Sequence, residues 1–229
     1  MKPSVANALW AASCFPEWRR FQRAAKRVQE TQAALLSRYL KQNQTTEYGE
    51  RFRFDAIASP LQYQDRVPLT TYDDYVEYIT RIGKGAQSVL VNEPVRMFEP
   101  SSGSTAPSKL IPYTASLKSE FQRGIAPWIC NLYTNISDLM GGPAYWSITP
   151  LTHGKRFTSS GIPIGFESDS EYLGILGRHL VDSVMAVPND VKNISNMDAF
   201  RYVTLLHLLR RPDLRLISVW IPTFLSLLF

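Results

Sequence analysis

The chain has 229 residues, 45% of them hydrophobic and 20% charged, and 25 Lys+Arg against 20 Asp+Glu give a formal net charge of +5. A chain of this length and apolar content buries a core without disulfide or metal staples, which excludes a long disordered segment, a collagen repeat and a coiled-coil rod. The basic excess suits a small phosphate-bearing ligand and is too weak by itself to argue for nucleic acid.

Met1 to Cys14 carries one lysine and an apolar stretch that ends in Ala11-Ala12-Ser13-Cys14, superficially similar to a lipoprotein cleavage site. The stretch is interrupted at Asn7 and is too short for a secretory signal, so a cytoplasmic location with no membrane partner is expected. Cys14 and Cys130 make no disulfide framework, and His153, His179 and His207 stand singly, so no metal site is expected. From Pro16 and Glu17 to Gln42, Trp18, Phe21, Ala25, Val28, Leu35 and Tyr39 recur at helical spacing and predict one amphipathic helix with a core-facing apolar stripe. Arg19, Arg20, Arg23, Lys26 and Arg27 fall mostly on its other face and read as a solvated surface rather than a membrane-binding one.

A short helix is expected over Asp73–Ile82, with Thr71 as its N-cap and Asp73 and Asp74 at its positive end. Ser88–Asn92 and Val95–Glu99 read as strands, followed by a Ser-, Gly- and Thr-rich stretch before Pro112. A helix from Ser116 to Leu132, a buried strand from Tyr145 to Thr149, an extended segment from Phe157 to Phe166, and helices over Ser170–Met185 and Asp198–Leu209 come next. Leu214–Phe229 is almost continuously apolar, and its sixteen residues fall short of the roughly 20 that cross a bilayer. Pro222 divides it into a strand and a helix whose Leu225, Leu227, Leu228 and Phe229 are expected to lack partners, as if the sequence were cut off inside a larger fold. Alternating strands and helices predict α/β architecture.

Chemistry concentrates in Ser101-Ser102-Gly103-Ser104-Thr105-Ala106-Pro107-Ser108-Lys109, which holds five hydroxyls, one glycine and one lysine between a strand and a helix. Successive N–H groups and hydroxyls can point at anionic oxygens, Gly103 lets the backbone approach, and Lys109 adds a flexible point charge. The string is not Walker A, since Ser108 rather than glycine precedes Lys109 and Leu110 follows it. On composition alone a flexible Ser/Gly connection is the plain alternative. His153, His179, Ser159, Ser160 and Asp182 could be drawn as a hydrolase set, but no G-x-S-x-G elbow supports it. The pairs Asp73/Asp74 and Asp169/Glu171 sit where helix starts favour acids, so capping explains them.

In order, the nine residues resemble the phosphate loop of the adenylate-forming superfamily, and the continuation Lys109-Leu110-Ile111-Pro112-Tyr113-Thr114 resembles the Gretchen Hagen 3 branch, the auxin-responsive promoter family of acyl acid amido synthetases. Thr46-Glu47-Tyr48-Gly49, Val67-Pro68-Leu69 with Tyr72 and Tyr75, Ser160-Gly161-Ile162-Pro163-Ile164-Gly165 and Arg211-Pro212-Asp213 are similar to the same branch. Two departures stand out: Ala106 where a glycine is usual, and Pro107-Ser108 where proline directly precedes the lysine.

The resemblance implies the amino-terminal part of the large adenylate-forming domain over 1–229, truncated, with the carboxy-terminal domain absent. It implies an ATP-dependent ligase that activates a small carboxylic acid as an acyl-adenylate and passes it to an amine or amino acid, with Mg2+ whose protein ligand is not on this chain. Ser101, Ser102, Gly103, Ser104, Thr105 and Lys109 would hold the ATP phosphates; Phe121, Arg123, Gly161, Ile162 and Pro163 would line the acyl pocket, Arg123 facing the substrate carboxylate. Nucleic acid and membrane are not expected partners, and a full-length version is expected to be a monomer. The piece itself is expected to be inactive, and a non-catalytic ligand-binding or interaction remnant is the alternative.

Overall fold

The computed structural model describes residues 1–101, 109–147, 156–165, 183–219 and 222–228. In chain order its helices are α1 (Pro3–Ala24), α2 (Val28–Asn43), α3 (Glu47–Arg51), α4 (Pro60–Arg66), α5 (Val76–Gly83), α6 (Ala115–Asn135), α7 (Met197–Leu209) and α8 (Pro222–Ser226), with 3-10 turns between them such as Tyr72–Tyr75. Its strands are β1 (Met97–Pro100), β2 (Leu110–Tyr113), β3 (Ala144–Trp146), β4 (Arg156–Phe157), β5 (Pro163–Ile164) and β6 (Leu216–Ser218). The chain divides into two compact units, one of Met1–Phe21, Phe121–Gly154 and Glu167–Phe229, the other of Gln22–Glu120 and Lys155–Phe166.

In the first unit, Ala6, Asn7, Trp10, Ala11 and Cys14 share one face of α1 and pack against Ile129, Cys130 and Tyr133 of α6 and against Val184. Trp10 sits edge-on to Trp146 with ring centroids 5.8 Å apart, and Trp128 also meets Trp146 edge-on at 5.3 Å. Asn7, fully buried, is the polar centre of this core: its Nδ2 donates to the carbonyls of Met140 (3.2 Å) and Gly142 (3.0 Å), and its Oδ1 accepts from the Tyr133 hydroxyl (3.0 Å). Parallel strands β3 and β6 pair from Ala144↔Leu216 to Trp146↔Ser218. Tyr145, Val187 and Phe200 fill a second core beside them.

The second unit carries a four-stranded sheet in the order β2-β1-β5-β4, in which β1 is antiparallel to β2 and parallel to β5. Tyr78, Ile79 and Ile82 of α5 cover Val89 and Phe98, and burying a side chain such as Phe98 contributes about 2 to 3 kcal/mol. Thr46 caps α3 by accepting from the Gly49 N–H at 3.0 Å while its own hydroxyl donates to the Asn43 carbonyl at 2.8 Å. Glycine is required next to it because a Cβ at Gly49 would stand 2.0 Å from the Asn43 carbonyl oxygen.

Several expectations need correction. The first helix begins at Pro3 and is interrupted at 25–27, where Arg19, Arg20, Arg23, Lys26 and Arg27 stack like charges three and four residues apart over an exposed stretch that no core holds together. Most of its supposed core stripe lies outside: Trp18 packs against the first core, but Phe21 and Val28 are 56% and 50% exposed, and α2 instead buries Leu40. Ser88–Asn92 is a bend rather than a strand, since the carbonyls of Ser88 and Val89 accept from the otherwise unpaired N–H groups of Glu47 and Tyr48 at the start of α3. Leu228 is buried and Leu225 partly buried against the second core, so these two have partners, while Leu227 is exposed. The helix expected over Ser170–Met185 falls mostly outside the described residues, and at its end Met185 forms a parallel bridge with Ala144.

Candidate functional site

Strands β1 and β2 form a hairpin in which Phe98 faces Pro112, Glu99 faces Ile111 and Pro100 faces Leu110. Phe98, 1% exposed, anchors its base in the core. The Ser101 N–H donates to the Lys109 carbonyl at 2.8 Å, which closes the ladder at the first and last residues of the hydroxyl-rich string. Ser101 and Lys109 are thus brought together as the two posts of the loop. Ser102, Gly103, Ser104 and Thr105 lie outside the described residues, as do Ala106 and Pro107.

Lys109 is exposed, and its Nζ lies 5.2 Å from the ring centroid of Tyr72. The Tyr72 phenol accepts from the Leu110 N–H at 2.8 Å and faces the Leu110 carbonyl at 3.3 Å. Tyr72 opens the 3-10 turn before α5, where Asp74 accepts from the Thr71 N–H at 2.7 Å and from its hydroxyl at 3.1 Å. Those two bonds stabilise the charged carboxylate and hold Asp74 below the ordinary carboxylate range. The sequence marked Thr71 and Asp74 as a cap. It gave no sign that Tyr72, 38 positions from Leu110, is tied to the loop.

The residues expected at the acyl pocket divide between the units: Phe121 and Arg123 belong to the first, Gly161, Ile162 and Pro163 to the second. Arg123 Nε donates to Glu17 Oε2 at 3.1 Å, so a carboxylate already faces its guanidinium, a partner that sequence reasoning missed. Phe121 is half-buried on α6. Gly161, at φ +85°, turns β4 into β5, a backbone region glycine enters freely. Its neighbour Ile162 packs against the Phe98 core, and Pro163 pairs with Phe157. Beside Ile162 runs an open groove of about 240 Å³ bordered by Ile82, Gly85, Val89, Val95 and Ser160.

Ser159 and Ser160 direct their hydroxyls at the Gly83 carbonyl, at 3.4 and 2.9 Å, while His153, His179, Asp182, Asp169 and Glu171 lie outside the described residues. Among the described residues no group of three or more His, Cys, Asp or Glu side chains is placed to hold a metal ion, and no helix is long and apolar enough to cross a membrane.

The fold is that of the acyl acid amido synthetases. It matches the structure described as AtGH3.15 acyl acid amido synthetase in complex with 2,4-DB with a TM-score of 0.74 at 20% identity, over 95% of this chain and 37% of that one. A second structure, GH3.15 acyl acid amido synthetase, matches with a TM-score of 0.62 at 23% identity, over 80% and 31% of the two chains. The chain belongs to the GH3 family: residues 17–229 match the pattern described as GH3 family N-terminal domain.

Curated relatives carry the same relationship at the sequence level. Indole-3-acetic acid-amido synthetase GH3.2 of Arabidopsis thaliana is 36% identical over 83 residues, 35% of this chain and 15% of that protein. Probable indole-3-acetic acid-amido synthetase GH3.11 of Oryza sativa subsp. japonica is 32% identical over 145 residues, 60% and 23% of the two chains. Jasmonoyl--L-amino acid synthetase JAR6 of Nicotiana attenuata is 30% identical over 99 residues, 42% and 17%. The matched stretches thus span less than a quarter of each of these three relatives.

Proposed function

We propose that this chain is the amino-terminal, polyphosphate-holding part of an ATP-dependent acyl acid amido synthetase of the cytoplasm. The observation that carries the reading is the β1–β2 hairpin, whose ladder closes between Ser101 and Lys109 and so brings together the two ends of the hydroxyl-rich string. In the reaction proposed, a carboxylate oxygen attacks the α-phosphorus of ATP, the bond to the β-phosphate oxygen breaks, and pyrophosphate leaves. The amine nitrogen of an amino acid then attacks the acyl carbon, expels AMP and loses a proton to give the amide.

As pyrophosphate departs, charge builds on its oxygens, and donors of the hydroxyl-rich string would stabilise that state more than bound ATP. Ser101, Ser102, Gly103, Ser104 and Thr105 would donate hydrogen bonds, and Lys109 would add its charge. Magnesium would supply further neutralisation of the phosphates. Phe121, Arg123, Gly161, Ile162 and Pro163 are the proposed acyl contacts, and an incoming carboxylate would replace Glu17 on Arg123.

Calorimetric titration of the 229-residue chain with inorganic pyrophosphate tests the reading. Loss of a charged hydrogen bond is worth roughly 1.5 to 3 kcal/mol, so Lys109→Ala should weaken binding about 10- to 100-fold, whereas Lys41→Ala, which removes an exposed charge from α2, should change it less than about twofold. Absence of pyrophosphate binding, or equal effects of the two substitutions, overturns it.

A further inference from the structure

We propose that Tyr72 is a positioning residue that sets the direction of Lys109 and the register of the strand leaving the phosphate loop. The inference rests on the reading above. It starts from the ladder geometry: Ser101 and Lys109 are joined by a hydrogen bond across the hairpin, so at the next pair, Pro100 opposite Leu110, backbone groups point away from the partner strand. Because β2 is an edge strand of its sheet, the N–H and carbonyl of Leu110 face outward with no strand among the described residues to receive them.

The Tyr72 phenol occupies that edge. It accepts from the Leu110 N–H at 2.8 Å and donates toward the Leu110 carbonyl at 3.3 Å, so one hydroxyl serves both groups of the residue that directly follows Lys109. The same ring lies under the Lys109 ammonium, with Nζ 5.2 Å from its centroid, a separation at which the negative ring face attracts a cation. Tyr72 is itself held firmly. It is half-buried against the core that contains Phe98, and its turn is fixed at the start by the bonds from Thr71 to Asp74.

A lysine side chain is a flexible stem with a strongly hydrated tip, and left alone it would spread its charge over many rotamers. The ring limits that spread, and the two backbone bonds stop β2 from slipping along β1. Lys109 therefore meets an arriving polyphosphate from a fixed side of the hairpin. Tyr72 need not touch the ligand.

The test combines Tyr72→Phe, Tyr72→Leu, Lys109→Ala and the Tyr72→Leu/Lys109→Ala double variant in the 229-residue chain, with inorganic pyrophosphate as the probe. In the free chain, Tyr72→Phe should speed exchange of the Leu110 amide at least about tenfold relative to the Ile111 amide, since it deletes the acceptor and keeps the ring. Tyr72→Leu should remove the upfield ring-current shift of the Lys109 side-chain protons. A cation over a ring is worth a factor of about 2 to 5 in an equilibrium constant, so Tyr72→Leu should weaken pyrophosphate by about that factor more when Lys109 is present than when it is absent. An unchanged Leu110 exchange rate, or equal weakening in both backgrounds, overturns the positioning role. A Lys109→Ala variant that binds pyrophosphate as the parent does overturns the polyphosphate reading and the positioning role with it, a pattern distinct from the other two.

Discussion

Replacing Asn7 by alanine should be among the most damaging single changes in the first unit. The side chain is wholly enclosed, and four groups depend on it: the Tyr133 hydroxyl donates to Oδ1 at 3.0 Å, and the carbonyls of Gly142, Met140 and Leu139 receive Nδ2 at 3.0, 3.2 and 3.4 Å. A buried polar group left without its partner costs about 1 to 3 kcal/mol, and at least the Tyr133 hydroxyl and the Gly142 carbonyl would be stranded, so Asn7→Ala should cost about 3 to 5 kcal/mol. Tyr133→Phe alone should cost about 1 to 1.5 kcal/mol, and should be close to neutral once Asn7→Ala has removed the acceptor, a coupling of about 1 kcal/mol or more. Urea unfolding followed by tryptophan fluorescence reads this out, because Trp10, Trp18, Trp128 and Trp146 belong to the first unit and the second has no tryptophan among the described residues. A loss below about 1 kcal/mol for Asn7→Ala, or strict additivity with Tyr133→Phe, would refute the idea that Asn7 is the polar centre of that core.

Further outcomes follow from the same geometry. Gly49→Ala sets a methyl 2.0 Å from the Asn43 carbonyl oxygen and should cost about 3 kcal/mol or more, seen as a fall in the near-ultraviolet tyrosine dichroism midpoint of the second unit. Thr46→Val, which deletes the cap of α3 and the hydroxyl's bond to the Asn43 carbonyl, should cost about 1 to 2 kcal/mol in the same assay. Burial pushes the Cys14 thiol from its ordinary 9.0 up to about 11, a folded value above the unfolded one. The stability tied to that group is therefore full below about pH 9 and lost as pH rises toward about 11, and Cys14→Ala should flatten this alkaline limb of the urea midpoint. An unchanged limb would show that the thiol is not the group responsible.

The sequence was most readable where one local rule acts alone. Thr71 and Asp74 announced a helix start, Asp198–Leu209 showed its helical spacing and lies within α7, and the strand before the hydroxyl-rich string is present as β1. It misled where a distant partner decides. Asn7 looked like a flaw in an apolar run, but its value depends on carbonyls more than 130 residues away. Ser88–Asn92 has the composition of a strand, yet its carbonyls serve the start of α3. Phe21, Val28 and Leu35 repeat like a core stripe and are exposed, because helical spacing identifies a face without saying what covers it. At the candidate site the string Ser101–Lys109 stood out by its hydroxyls and lysine. The Tyr72 clamp on Leu110 and the Glu17 partner of Arg123 arise from folding and leave no trace in spacing.

The most direct measurement uses the chain labelled with 15N-glycine, whose 12 glycines give a readable spectrum, with the Gly103 amide assigned by its loss in Gly103→Ala. On titration with inorganic pyrophosphate, the Gly103 amide should shift and saturate, with smaller changes at Gly124 and Gly141, and Lys109→Ala should raise the concentration needed about tenfold or more. A Gly103 resonance that stays in place while pyrophosphate binds, or while other glycines respond, would contradict the assignment of the hairpin turn to the nucleotide phosphates.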